Sequence, residues 1–154
     1  MSNFTTVYDL LVGTTIPGLT GFSTKTKIPD PYNPEDNDIN FLRNGWGLTI
    51  GESSDSEFQE FKYSKVNQVF NLVLTREVNR TSNNTATVES VSKAMAEDIV
   101  TARLDLLDDD QITLDSNIEM ITFEGSSAIE PLDLEDSYVL STTVTFNFVL
   151  RESL

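Results

Sequence analysis

The strongest constraint on this chain is its last regular stretch, Ser137–Arg151, which reads SYVLSTTVTFNFVLR. Tyr138, Leu140, Thr142, Val144, Phe146, Phe148 and Leu150 fall on even positions, and Val139, Ser141, Thr143, Thr145, Asn147, Val149 and Arg151 on odd ones, a mostly polar set. Apolar and polar residues therefore alternate with period two, and the stretch is β-branched and aromatic with neither Gly nor Pro. That pattern specifies a long strand with one covered face. An apolar face of this size must be buried, so the upstream elements have to supply its cover.

The clearest cover is a helix. From Thr85 to Leu107, Val88, Val91, Met95, Ile99, Ala102 and Leu106 recur at spacings of three and four, with Leu104 and Leu107 flanking the end of the stripe. Glu89, Lys93 and Glu97 follow another face at i,i+4 spacing. A second, shorter helix runs to about Val12 behind a cap at Asn3 or Thr5, and Gly13 stops it. Tyr63–Val78 reads as a second long strand, its apolar face broken by Gln68 and Arg76. Its LTRE end echoes the LRE of the last strand, which suggests pairing partners.

Between these elements the expected structure is sparser. Residues 13–45 carry Pro17, Gly18, Gly21, Pro29, Pro31 and Pro34 and read as a long irregular loop. A turn at Asn44-Gly45 leads to a short strand, Trp46–Ile50, which the polar run Glu52–Glu57 ends. Trp46, the only Trp, is a core or interface anchor. Ile118–Phe123 is a short strand, and 108–117 and 125–136 are acidic loops, the second broken at Pro131. The result is a single α+β domain, an antiparallel sheet with helices on one face.

Composition removes whole classes of chemistry. With 154 residues and neither Cys nor His, the chain has no thiol nucleophile, no Ser–His–Asp triad and no thiolate or imidazole metal ligand. The N-terminal stretch lacks the pattern of a signal peptide, and no membrane span is expected. Two acidic stretches remain as metal candidates. Asp36, Asp38 and Asn40 begin a calcium-loop pattern that fails at Phe41 and Gly47, and Asp108, Asp109 and Asp110 follow the long helix without a phosphate motif nearby. Both read as solvated turns. No cofactor is expected.

A net charge of −15 opposes binding to nucleic acid through its phosphates. Its distribution says more. Residues 30–60 hold eight acids against Arg43 (−7), residues 108–136 hold ten acids and no base (−10), and residues 61–84 hold four bases against Glu77 (+3). One reading is solubility, since solvated acidic loops are common; the other is a molecule with an acidic side and a weakly basic side, suited to head-to-tail contact between copies. The interface candidates are Lys62, Lys65 and Arg80 on the basic side, Asp108, Asp109 and Asp110 on the acidic side, and Trp46.

The WGLTIG strand at Trp46–Gly51, FNLVLTRE at Phe70–Glu77, the helix Thr85–Leu107, ITFEG at Ile121–Gly125 and the terminal TVTFNFVLRE at Thr143–Glu152 together resemble the tail terminator (tail completion) proteins of long-tailed bacteriophages. The resemblance is one of element order, from about Arg43 to the end, and the family offers no catalytic residue to carry over. It implies a virion structural protein, assembled in the host cytoplasm. Its copies would form a ring, usually of about six subunits, on the end of the tail tube, with the tube protein and the head connector as partners. DNA would pass through without specific binding, since a negative lumen repels it. Other head–tail neck and connector subunits share this description. Two further readings stand beside it: a metal-dependent enzyme built on Asp36, Asp38 or Asp108–Asp110, and a monomeric peptide-binding module using Thr143, Thr145 and Asn147.

Overall fold

In the computed structural model the last strand lies inside the sheet, paired along both of its edges. The structure describes residues 3–12, 25–33, 43–60, 63–78, 85–107, 117–134 and 137–153. Along the chain these form α1 (Asn3–Val12), β1 (Thr26–Lys27), β2 (Asn44–Glu60), β3 (Tyr63–Val78), α2 (Thr85–Leu107), β4 (Ile118–Ser126), β5 (Glu130–Leu134) and β6 (Ser137–Ser153). The strand order is β1-β2-β3-β6-β4, with β5 also paired to β6. The fold is α+β, with a mixed sheet.

β6 is 17 residues long, about 55 Å of extended chain. One edge pairs with the whole of β3, from Tyr138↔Val78 to Ser153↔Tyr63. The other edge is shared by β4, which takes Val144–Leu150, and β5, which takes Ser137–Ser141. The two short strands thus behave as one interrupted strand. At the break, Ser127 accepts from the Thr143 amide through Oγ (2.9 Å) and donates its own amide to the Thr143 carbonyl (2.8 Å). β3 and β6 pair as the shared LTRE and LRE endings suggested, but antiparallel, so the two matching ends lie far apart.

Period two in β6 becomes burial. Val144, Phe146 and Phe148 are fully buried, and Leu140, Thr142 and Leu150 nearly so. The apolar five join Trp46 and Leu48 of β2, Phe70, Leu72, Leu74 and Val78 of β3, and Ile118 and Ile121 of β4 in one cluster. α1 contributes Val7 and Leu11, and α2 contributes Met95, Ala102 and Leu106. Phe70 packs edge-on against Phe148 (5.1 Å between ring centroids) and lies parallel to Phe4 of α1 at 5.6 Å. Of the stripe on α2, Val88 sits at the rim, while Leu104 points outward and is 62% exposed.

Four expectations need correction. Asn44 and Gly45 form no turn; both already belong to β2, paired with Arg76 and Thr75 of β3. β2 does not stop at Ile50; it continues through the polar run to Glu60 and forms a hairpin with β3. Charged residues are common on edge strands, where they discourage pairing with other chains. Residues 13–45 are not wholly irregular, because Thr26 and Lys27 pair with Gly45 and Trp46. That pair is parallel, which makes the sheet mixed and not antiparallel. Residues 125–136 include β5 and not only a loop. Pro131 is tolerated in β5, which is an edge strand.

Candidate functional site

Gln68 and Arg76, the two polar interruptions on the apolar face of β3, each have a physical cause. Register shifts in the β2–β3 ladder between Ile50 and Ser53, and the carbonyls of Gly51 and Glu52 there accept from Gln68 Nε2 at 3.2 and 3.4 Å. Gln68 is only 5% exposed, and the carbonyls of the bulge give its buried amide acceptors.

Arg76 meets Asp98 of α2. Its Nε and Nη2 donate to the two carboxylate oxygens at 2.7 and 2.9 Å, a bidentate pair. Lys25, just before β1, donates to the same carboxylate at 3.0 Å and to Asn44 Oδ1 at 2.6 Å. The Lys25 side chain is 5% exposed and that of Asp98 9%. Burial alone would raise the Asp98 pKa, but the hydrogen bonds and charges of Arg76 and Lys25 outweigh it and hold the carboxyl below its usual range. For Lys25 burial is the larger influence and pushes the ammonium down, partly offset by Asp98. Hydrogen bonding to Asp98 raises Arg76. The arrangement ties the segment before β1, the start of β2, the end of β3 and the middle of α2 to one point. Sequence reasoning misses Asp98, although a signal exists: it falls on the apolar stripe, three residues after Met95 and four before Ala102.

A second ionic cluster lies at the other end of the sheet. Lys65 of β3 and Arg151 of β6 are direct cross-strand partners, two like charges side by side. Glu119 of β4 reaches both, at 2.9 Å from Lys65 Nζ and 3.1 Å from Arg151 Nη2. The hydrogen bond from Lys65 is the main reason its carboxyl lies below the usual range.

The interface candidates divide accordingly. Lys65 is engaged with Glu119 of its own chain. Trp46 takes the core role, 8% exposed between β2 and the helices. Lys62, Arg80, Asp108, Asp109 and Asp110 lie outside the described residues, as do Asp36, Asp38 and Asn40. Among the described residues no group of three or more acidic side chains is arranged to hold a metal ion. Thr143, Thr145 and Asn147 occupy the odd positions of β6, half-buried in a polar ladder. Thr145 donates to Asn71 Oδ1 at 2.9 Å, and Asn147 donates to Asn67 Oδ1 at 3.4 Å. Thr145 and Asn147 thus spend these polar atoms on neighbours within the sheet.

No protein-family model matches this chain, and a search of curated proteins returns no match.

Proposed function

We propose that this protein is a phage virion structural subunit that closes the end of the tail tube as a ring and joins it to the head connector. The feature that carries the reading is the element order, a helix, a long hairpin, a long helix and a long last strand that returns beside the hairpin. That order is the one on which the resemblance rests. In this reading the protein works by assembling, not by chemistry, in the virion neck after assembly in the host cytoplasm. Its neighbours are other copies, the tail tube protein and the connector. Another neck or connector position is the alternative within the same class.

The charge distribution supports contact between unlike surfaces, as a ring requires. The basic residues Lys62, Lys65 and Arg80 of one copy face the acidic segment 108–136 of the next. Lys65 brings the charge of a Lys65–Glu119–Arg151 group that is net positive. Native mass from micromolar to near-millimolar concentration, with negative-stain images at the top of the range, tests the reading. Closed rings are expected. Replacing Lys62, Lys65 and Arg80 with Ser should weaken those rings and flatten their dependence on salt, and rings indifferent to the triple change would remove the charge-based contact.

A further inference from the structure

β2 has two halves that differ in chemistry. Asn44–Ile50 (NGWGLTI) carries no charge and pairs with β3 in unbroken register, whereas Gly51–Glu60 carries Glu52, Asp55, Glu57 and Glu60 and two register shifts. Bulges and charge are how an edge strand avoids recruiting another chain. The second half has both, and the first half has neither. What it has is residues 25–33 laid along it.

Beyond the pairing of Thr26 and Lys27, further contacts attach that segment. Lys25 enters the ionic cluster at Asp98. The Ile28 amide donates to the Trp46 carbonyl at 2.7 Å, and its side chain is buried against Val139. Pro31 lies where a Cβ on Gly47 would be, 2.6 Å from its Cγ, so this close approach requires glycine. A turn held by Asp30, which accepts from the Tyr32 amide at 3.1 Å and from the Asn33 amide at 3.2 Å, presents Tyr32 to the edge. The Tyr32 hydroxyl then accepts from the Ile50 amide at 2.9 Å and lies 3.4 Å from the Ile50 carbonyl. One side chain, itself 68% exposed, takes the donor and acceptor that a further strand would take.

The outward backbone groups held this way belong to Trp46 and Ile50, spaced symmetrically about Leu48. An antiparallel pairing of two copies centred on Leu48 sets Trp46 of one opposite Ile50 of the other, in the register where each exchanges its outward groups. The same register brings Glu52 of one copy beside Asn44 and Arg43 of the other, so the ends are complementary in charge while the centre is uncharged. We propose that residues 25–33 are a removable cover over a self-complementary strand edge. Lifting it lets two copies of this chain pair through Asn44–Ile50. The inference does not depend on the ring reading. A closed two-fold pair of this kind would compete with a ring, which gives the cover a purpose.

The test is the full-length Lys25→Met/Tyr32→Phe variant. Arg76 still holds Asp98 in it, and far-UV circular dichroism checks that the fold is kept. At low concentration the Ile50 amide should exchange at least about fivefold faster than in the wild type, the loss of one hydrogen bond. With rising concentration a species of twice the wild-type mass should appear, the Ile50 amide should regain protection, and adding Ile50→Lys should abolish both. A variant that keeps the wild-type mass at every concentration while Ile50 exchanges fast overturns the proposal, as does a double-mass species indifferent to Ile50→Lys. Should the double variant lose its fold, Tyr32→Phe alone, at an exposed position, takes its place. The same two measurements then support or overturn the proposal in the same way.

Discussion

Two ionic clusters in this protein have the same composition, one carboxylate between two cations, and opposite surroundings. Asp98 sits 6% exposed between Arg76 and Lys25, while Glu119 sits at an open sheet edge between Lys65 and Arg151. Charges taken out of water are costly unless paired, and pairing at the surface gains little because water and salt already screen it. The two clusters should therefore differ in consequence, although a diagram of their contacts makes them look alike. The buried one decides how α2, β3 and the segment before β1 are placed. The open one chiefly relieves two like charges that the β3–β6 register sets side by side.

The largest expected effect is that of Asp98→Ala, which takes the shared carboxylate away from the buried Lys25 and the part-buried Arg76. Unfolding in urea should show a loss of about 3 kcal/mol, the lower end for a broken buried pair because Arg76 keeps part of its surface in water. A loss below about 1 kcal/mol would erase the contrast between the clusters. Next comes Gln68→Ala, which removes the hydrogen bonds from the buried amide to the bulge, at a cost of about 0.5–1.5 kcal/mol. Its thermal midpoint should fall well below that of a surface control such as Glu89→Gln.

A pH series sharpens the difference. The folded pKa of Asp98 lies below its unfolded value of about 3.9. Its stabilisation is therefore fully present above pH ~4 and is lost as pH falls through the lower folded value. Asp98→Asn should remove part of the steep acid side of the stability curve and leave its slope near neutrality unchanged. The smallest effect is that of Glu119→Gln, about 0–1 kcal/mol at low salt and nothing measurable in molar salt.

Much of this architecture was legible in the sequence because the relevant elements bury one face in a strict period. Val144, Phe146 and Phe148 announce β6, and Met95, Ala102 and Leu106 announce α2, each within the bounds that the structure has. β2 beyond Ile50 was not legible. Glu52, Ser53, Ser54 and Asp55 are what a loop also contains, and only pairing with β3 makes a strand of them. β5 was hidden by Pro131, which is excluded from central strands but not from an edge. β1 is two residues whose partners lie in β2, information that no local window holds. The buried cluster was half visible, since Arg76 and Asp98 interrupt apolar stripes on two different elements. That these interruptions face each other is a property of how α2 lies on the sheet, and no spacing in one dimension encodes it.

The element order that underlies the functional reading has its most direct test at the end of a tube. Polymerising tail tube protein is mixed with this chain, and tube length and end occupancy are read by negative-stain microscopy. Tubes that stop growing, each capped at one end by a ring of this protein, are the expected result. Tubes that elongate at the unperturbed rate, with the protein left in solution as monomers, would contradict the terminator role.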